Sequence, residues 1–288
     1  MSKLKENRYN SRAPLHIGAV SFFNARPLIY QLENSPSVFL HCTVPSQLAS
    51  GLDDGTFHAA MVPSIDYQTT PFDWAILPVG AIGSNGPVLT VQIFSRCPLE
   101  QINCLTCDTD SHTSVALAQV IWHLRYGRPL KITPLPDDFR NCQAILLIGD
   151  KVLEQLDAWP FQLDLGQAWT ELTQLPFVNA FWAVRDAAHC PTLYKILRHA
   201  FRQGLDHIEQ IIKDYSYQHG FDQPAARRYF AENICFDLLL PQQRGLQKFY
   251  ELAFNLRLIP RLRPLNFYSP DSAVKSQTNT KSPQTIQP

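Results

Sequence analysis

The sequence lacks several features that point to particular classes of protein. Its 25 Lys and Arg balance its 25 Asp and Glu, so the net charge is zero and no basic surplus is present to neutralise a phosphate backbone. The longest apolar stretch, around Ala144–Ile148, is far shorter than the roughly 20 residues of a membrane-spanning helix. The N-terminus has no apolar segment of the kind found in export signals. We therefore expect a cytoplasmic protein that binds neither nucleic acid nor a membrane.

Cysteine pairs and familiar catalytic motifs are also scarce. The seven cysteines are an odd number scattered along the chain, which favours reduced thiols over a disulfide framework. Cys104 and Cys107 form a CxxC pair without a second pair or a nearby histidine, so a metal or redox role is not indicated. P-loop, dinucleotide-binding, zinc-protease and nucleophile-elbow motifs are absent. Common catalytic signatures therefore do not explain this chain.

What is present is an alternation of short β-type runs with helical patterns, followed by helices alone. This alternation favours an α/β fold with mostly parallel sheets and a C-terminal helical block. The predicted strands are Leu15–Val20, Val38–Thr43, Ala59–Val62, Ile76–Val79, Val88–Ser95, Asn103–Cys107, Ala144–Ile148 and Val178–Val184. Helices are predicted from Pro45, from Thr113 to Gly127, and over Tyr194–Gly204, Asp206–Tyr217, Pro224–Glu232 and Pro241–Leu256.

The extended runs 88–95 and 178–184 bracket a compact β/α unit. The chain would then pass twice between two α/β units. This is typical of a two-lobed clamshell with a ligand cleft between the lobes. The predicted first lobe comprises residues 1–90 and 181–265, and the second comprises residues 91–180. The polar composition of residues 266–288 predicts a disordered tail, and residues 1–13 are a second loose end.

Four segments place small polar side chains at the ends of predicted strands, where open α/β sheets bind ligands. In the first, Asn24 either contacts a ligand or caps a helix. The second, Gly83–Pro87, is either a plain turn or a place of close ligand approach. In the fourth, Asp164 either caps a helix or faces the cleft as an acceptor or base.

The third segment, Cys107–Ser114, is the strongest physical signal, because seven consecutive polar residues lead into an amphipathic helix. A helix start offers free N–H groups and the positive end of the helix dipole, and added hydroxyls make it suited to a carboxylate. A cap needs only one Ser or Thr, so the excess of hydroxyls favours anion binding. Its two aspartates oppose a highly charged anion unless they point away.

At these segments the chain resembles the chorismate dehydratases of the futalosine route to menaquinone. In that family a strand runs into Val-Ser-aromatic-Leu-Asn, followed by a basic residue and Pro-Leu, and residues 17–28 are similar. The resemblance spans roughly residues 15–262. It continues in order through Val44–Leu48, Ala60–Ile65, Gly83–Val88, Asp108–Leu117, Leu147–Asp150, Asp164–Trp169, Leu175–Phe177 and Tyr229–Ile234.

The resemblance implies a two-lobed fold similar to type II periplasmic binding proteins, used inside the cell as an enzyme. It implies dehydration of chorismate to 3-[(1-carboxyvinyl)oxy]benzoate without a metal or an organic cofactor. Asn24 is then the residue nearest the chemistry. The implied substrate contacts are Ser21, Ser84, Asn85, Thr109, Ser111, His112, Thr113, Ser114 and Asp164.

Some positions depart from the family pattern. Position 85 is Asn where the family usually has Asp, 110 is Asp where Ser is common, and 112 is His where Arg is common. An Arg at 112 would supply a bidentate partner for a carboxylate, whereas His is shorter and charged only at lower pH.

Two alternatives to this function stay open. The first is a non-catalytic solute-binding protein for a small organic anion, which normally needs an export signal or lipid anchor that residues 1–14 do not offer. The second is the sister family that makes 1,4-dihydroxy-6-naphthoate in the same pathway. The Val-Ser-x-x-Asn opening fits the dehydratase better than that sister family.

Overall fold

The computed structural model of the chain describes residues 13–108 and 111–270. Within these ranges, ten strands form two five-stranded sheets, which we call sheet I and sheet II. The strands are β1 Leu15–Val20, β2 Val38–Thr43, β3 Ala59–Pro63, β4 Ala75–Ser84, β5 Val91–Ser95, β6 Cys104–Cys107, β7 Lys131–Pro134, β8 Ala144–Ile148, β9 Phe161–Asp164 and β10 Phe177–Val184.

Helices cover both sheets and form a block after the last strand. The α-helices are α1 Pro45–Asp53, α2 Asp66–Thr69, α3 His112–Tyr126, α4 Leu165–Thr173, α5 Cys190–Asp206, α6 Ile208–Tyr215, α7 Gln223–Arg228 and α8 Leu240–Asn255. A 3₁₀ segment, Phe23–Ile29, follows β1, and a π-helical turn, Tyr229–Asn233, follows α7. None of the helices in these described parts of the chain is both long and apolar enough to cross a membrane.

The chain crosses twice between the sheets, as the sequence predicts. Sheet I has the order β2-β1-β3-β10-β4, and sheet II has the order β7-β6-β8-β5-β9. The strand that follows each crossing, β5 or β10, lies between two strands of the sheet it joins and is antiparallel to both. Each sheet is therefore mixed, with two parallel and two antiparallel pairings, rather than mostly parallel.

Sheet membership also bears on the predicted boundaries. Because β10 begins at Phe177, the chain rejoins sheet I before the predicted lobe boundary at residue 180. The start of the predicted tail is ordered: the N–H of Ile76 donates to the carbonyl of Asn266, and the N–H of Tyr268 donates to the carbonyl of Ile76. Residues 271–288 and 1–12 lie outside the described residues.

Most predicted strands and helices are present, with shifts at their ends. The predicted strand Val88–Ser95 begins only at Val91, because Leu89 has a φ of 65°, which breaks extended backbone. The predicted helix Pro224–Glu232 ends at Arg228 and continues as the π-helical turn. Strands β7 and β9, which border sheet II, were not predicted, since each is only four residues long.

The 3₁₀ segment that carries Asn24 is held in place by α5. Gly204, near the end of α5, packs directly on the backbone of Pro27, so that a Cβ at position 204 would collide with the Pro27 carbonyl. A backbone carbonyl within a packed segment has little freedom to move. The glycine therefore sets how closely the helix approaches the 3₁₀ segment.

We expect Gly204→Ala to lower the free energy of unfolding by about 1–3 kcal/mol, because overpacking outweighs the higher helix propensity of Ala. Urea unfolding followed by tryptophan fluorescence measures the change. Arg202→Ala on the exposed face of the same helix is the control, with a change within about 0.5 kcal/mol. A Gly204→Ala protein as stable as the control variant would contradict this packing.

Candidate functional site

A cleft lies between the two sheets, at the ends of the strands that precede the polar segments. It encloses about 480 Å³ of empty space, including its open mouth. Segments of the first lobe and of the second lobe contribute to its wall. So does the stretch between the end of β4 and the start of β5, residues 85–90, which we call the crossing segment. The lining residues are Val20, Phe22, Asn24, Pro45, Pro63, Ile82, Val88, Thr90, Val91, Ser111, Ser114, Ile148, Gly149, Asn179 and Ala180.

Asn24 forms part of this wall from the 3₁₀ segment that follows β1. Its side chain is buried, with only 7% of the residue exposed. Its Nδ2 donates to the hydroxyl of Tyr229 at 3.2 Å, while its Oδ1 is buried with no hydrogen-bond partner. A buried amide oxygen without a partner is costly, so it favours a ligand that supplies a donor. Asn24 is not the side-chain cap of its helical segment.

Tyr229 and Thr90 lie behind Asn24. The two hydroxyl oxygens are 3.0 Å apart, and Tyr229 is almost completely buried. Burial raises the pKa of the Tyr229 phenol well above its usual value, so this hydroxyl stays protonated at neutral pH. Thr90 follows the positive-φ residue Leu89 in the crossing segment, and it lines the cleft.

The start of α3 meets the cleft from the second lobe. Ser111 is the N-cap: its Oγ accepts from the N–H of Ser114 at 3.3 Å and donates to the Oγ of Ser114 at 2.8 Å. Both serines line the cleft opposite the first-lobe wall. Ser111 therefore combines the two roles, cap and cleft contact, that the sequence left as alternatives. The positive end of the α3 dipole faces the space where an anion would lie.

A second helix start contributes from the first lobe. Pro45, the first residue of α1, lines the cleft, and no side chain caps this helix. Pro45 has no N–H and the N–H of Gln47 donates to the carbonyl of Val44, so this helix start attracts a carboxylate chiefly through the positive end of its dipole. The cleft is therefore bordered by the N-termini of two helices, one from each lobe.

His112 and Thr113, predicted as substrate contacts, instead touch the first lobe outside this cleft. The Nδ1 of His112 is 2.8 Å from the Oδ1 of Asp66, at the start of α2. The N–H of Ile65 donates to the Oγ1 of Thr113 at 3.1 Å. These two side chains join α3 to the segment after β3, and neither lines the cleft. Thr109 lies outside the described residues.

Three further predicted contacts also lie away from the cleft wall. Ser84 is fully buried at the end of β4, where its Oγ has no hydrogen-bond partner and packs near Gly166 of α4. Asn85 is exposed on the turn that follows, and Ser21 is partly buried beside the lining residues Val20 and Phe22. The structure therefore brings Asn24, Ser111 and Ser114 together around one cavity and leaves these three outside its wall.

Asp164 ends β9 and caps α4, accepting from the N–H of Gln167 at 3.0 Å. Its carboxylate also accepts from the N–H groups of Val88 and Leu89 and from the Nε2 of Gln92. Burial raises the pKa of this carboxyl, and the backbone hydrogen bonds partly oppose the rise. Its oxygens point at the crossing segment, and Asp164 does not line the cleft. The capping alternative matches this placement.

Sequence reasoning missed several residues of the wall, of which Thr90 and Asn179 are polar. Both lie in the stretches that cross between the lobes, where every side chain was assigned to a strand. Asp108, whose charge counted against anion binding, pairs with Lys151 at 2.8 Å. In the described ranges, no three His, Cys, Asp or Glu side chains are grouped so as to hold a metal ion, and all seven cysteines are free.

Solved structures share this fold. Protein AF1704 of Archaeoglobus fulgidus matches with a TM-score of 0.69 at 15% identity, over 85% of this chain and 98% of that one. The periplasmic aliphatic sulphonate binding protein SsuA of Escherichia coli matches with a TM-score of 0.57 at 17% identity, over 88% and 95%. The fold and the cleft define a two-lobed α/β protein of the periplasmic-binding-protein type.

Sequence comparison then identifies the family. The sequence model of a family described as menaquinone biosynthesis matches residues 15–255, and the chain belongs to this family. A chorismate dehydratase of Thermus thermophilus is 27% identical over 274 residues, which cover 87% of this chain and 99% of that protein. The resemblance predicted from the motifs is confirmed.

The Thr113 contact between the lobes can be tested by removing its hydroxyl. We expect Thr113→Val to lower the free energy of unfolding by about 1–3 kcal/mol, because the buried N–H of Ile65 loses its acceptor. Thr69→Val is the control, since Thr69 is exposed and its hydroxyl bonds only the Asp66 carbonyl of its own helix. Urea unfolding compares the two variants, and equal losses would rule out the contact.

Proposed function

We propose that this chain is a chorismate dehydratase that converts chorismate to 3-[(1-carboxyvinyl)oxy]benzoate and water, a carbon–oxygen lyase of the futalosine route to menaquinone. The observation that carries this proposal is the cleft. Asn24 of the first lobe and Ser111 and Ser114 of the second lobe, which belong to separate motifs of the family, line the same cavity. Membership of the menaquinone biosynthesis family and the Thermus thermophilus relative support it.

The reaction asks little of the protein chemically. A ring C–H proton and the neighbouring hydroxyl leave together as water, and the ring becomes aromatic, so the product is strongly favoured. No electron is gained or lost overall, which is why the reaction needs no redox partner. The main tasks of the site are to orient the substrate and to transfer one proton.

Chorismate carries two carboxylates, and the cleft offers dipoles and hydroxyls to hold them. Among the described residues that line it, none carries a charged side chain. The N-termini of α1 and α3, together with Ser111 and Ser114, are the groups suited to the carboxylates. His112, which stands where the family commonly has Arg, is paired with Asp66 and leaves this task to those groups.

The residues that line the cleft also bear on which group accepts the proton. The described lining residues include no His, Asp, Glu, Lys or Cys that could serve as a base. We propose a carboxylate of the substrate itself as the proton acceptor. Asn24, at the wall next to the ring, orients the reacting carbon atoms. A cytoplasmic location is part of the proposal, because seven free cysteines suit a reducing compartment.

Turnover of chorismate is the direct test. We expect the purified protein to convert chorismate to the benzoate product, which the loss of the diene absorbance and mass spectrometry of the product would measure. The protein without chorismate, and chorismate without the protein, are the controls. Chorismate that binds but stays unchanged for hours would favour a solute-binding protein. Chorismate that neither binds nor reacts would contradict the proposal.

Replacing Asn24 separates orientation from binding. We expect Asn24→Ala to lower kcat by about 10²-fold or more while KM changes by about threefold or less, because the side chain contacts the ring rather than the carboxylates. Steady-state kinetics with chorismate measure both constants. Phe39→Ala, an exposed substitution on β2 far from the lining residues, is the control. A wild-type kcat in Asn24→Ala would remove this residue from the mechanism.

A further inference from the structure

We propose that Tyr229 is a positioning residue that fixes the orientation of the Asn24 amide, so that Asn24 presents its Oδ1 to the ring hydroxyl of the substrate. This inference rests on the proposed function. It concerns a residue of the C-terminal helical block that lies behind the wall of the cleft, and it gives Tyr229 a role that the dehydration chemistry alone does not require.

The hydroxyl of Tyr229 connects two parts of the chain that are far apart in sequence. It lies 3.2 Å from the Nδ2 of Asn24, after β1, and 3.0 Å from the Oγ1 of Thr90, in the crossing segment. Only 1% of Tyr229 is exposed, so water does not compete for either contact. The hydroxyl therefore links the crossing between the lobes to the residue nearest the proposed chemistry.

The direction of these hydrogen bonds determines which amide atom is left over. Because Nδ2 of Asn24 can only donate, the Tyr229 oxygen accepts there. The contact between Tyr229 and Thr90 allows either hydroxyl to donate, and we infer that Tyr229 donates to the Oγ1 of Thr90, because this uses its remaining proton. The Thr90 hydroxyl has the carbonyl of Val88 as its acceptor at 3.5 Å. Because Nδ2 takes part in this series of hydrogen bonds, Oδ1 is the amide atom that has no hydrogen-bond partner.

The Tyr229 ring is itself held firmly. It stacks on Phe221 at a centroid distance of 4.8 Å and on Phe23 at 6.3 Å, next to the residue it positions. Tyr229 is also the first residue of the π-helical turn after α7. Single π-helical turns are rare and recur at functional sites, since they shift one side chain out of the α-helical register. Packing and backbone together fix the place of the hydroxyl.

An amide oxygen can only accept, which identifies the substrate group that it meets. In the dianion of chorismate both carboxyl groups are ionised, so the ring hydroxyl is the one O–H donor of the molecule. Oδ1 of Asn24 is therefore suited to the hydroxyl that leaves as water. As the carbon–oxygen bond breaks, the oxygen keeps this proton and leaves as water, so Oδ1 can hold the hydrogen bond while the oxygen departs.

Tyr229→Phe tests the proposal because it removes only the hydroxyl. We expect kcat to fall by about tenfold, the equivalent of one hydrogen bond, while KM stays within about twofold. Tyr250→Phe is a matched control: Tyr250 is equally buried, and its hydroxyl donates to the carbonyl of Ser64, away from Asn24. We expect Tyr250→Phe to keep the wild-type kcat. Thermal unfolding of both variants checks that each is folded.

A double-mutant cycle separates positioning from a general structural effect. In an Asn24→Ala background we expect Tyr229→Phe to cause no further loss of kcat, because its effect passes through Asn24. Additive losses, or a wild-type kcat in Tyr229→Phe, would overturn the proposal. Thr90→Val provides a second variant, with the same split between kcat and KM expected, should Tyr229→Phe not fold.

An observation independent of turnover distinguishes this inference from the proposed function. The side-chain amide of Asn24 is assigned in a ¹⁵N–¹H spectrum by its loss in Asn24→Ala. We expect its hydrogen exchange to be slow in the wild type and faster in Tyr229→Phe, with Tyr250→Phe like the wild type. Unchanged exchange in Tyr229→Phe would overturn the positioning role even in an active enzyme. A wild type that is inactive on chorismate but shows the expected exchange would overturn the proposed function and the contact with the ring hydroxyl, and would leave the positioning of the Asn24 amide by Tyr229 in place.

Discussion

The carboxylate of Asp164 is the interaction on which the arrangement of the cleft depends. It accepts from the backbone of Val88 and Leu89 and from the side chain of Gln92, and so fixes the crossing segment against the second lobe. It also caps α4. Because Leu89 adopts a left-handed conformation there, Val88 and Thr90 both reach the cleft. One buried acidic group thus determines how the first chain crossing is shaped.

His112, which stands where the family commonly has Arg, has a structural role in contact with the first lobe. The lobes are joined beside the cleft by His112 with Asp66 and by Thr113 with Ile65. A histidine that pairs with a carboxylate across the lobes is engaged in holding them together. Ser111 donates its own proton to Ser114, so the hydroxyl proton of Ser114 and the dipole of the helix start remain for the ligand. The segment therefore divides its side chains between the two tasks.

Eight of the ten strands in the described ranges, the two crossings and the meeting of Asn24 with Ser111 and Ser114 were predictable, because the segments that carry these residues follow the apolar runs β1 and β6. The sequence did not predict which of two adjacent polar residues faces the cleft. Successive residues at a helix start point about 100° apart, so Thr113 meets the first lobe while Ser114 meets the cavity. The ordered Asn266–Tyr268 was missed because composition does not register backbone pairing with an exposed strand edge.

The wall of the cleft, in the described part of the chain, is lined by uncharged side chains. Dipoles and hydroxyls act over a few ångströms, whereas full charges attract ions across a Debye length of roughly 10 Å at 0.1 M salt. A protein of zero net charge with such a wall gains little long-range attraction for an anion. Its rate of encounter with an anionic ligand is accordingly governed by diffusion and should be nearly insensitive to ionic strength.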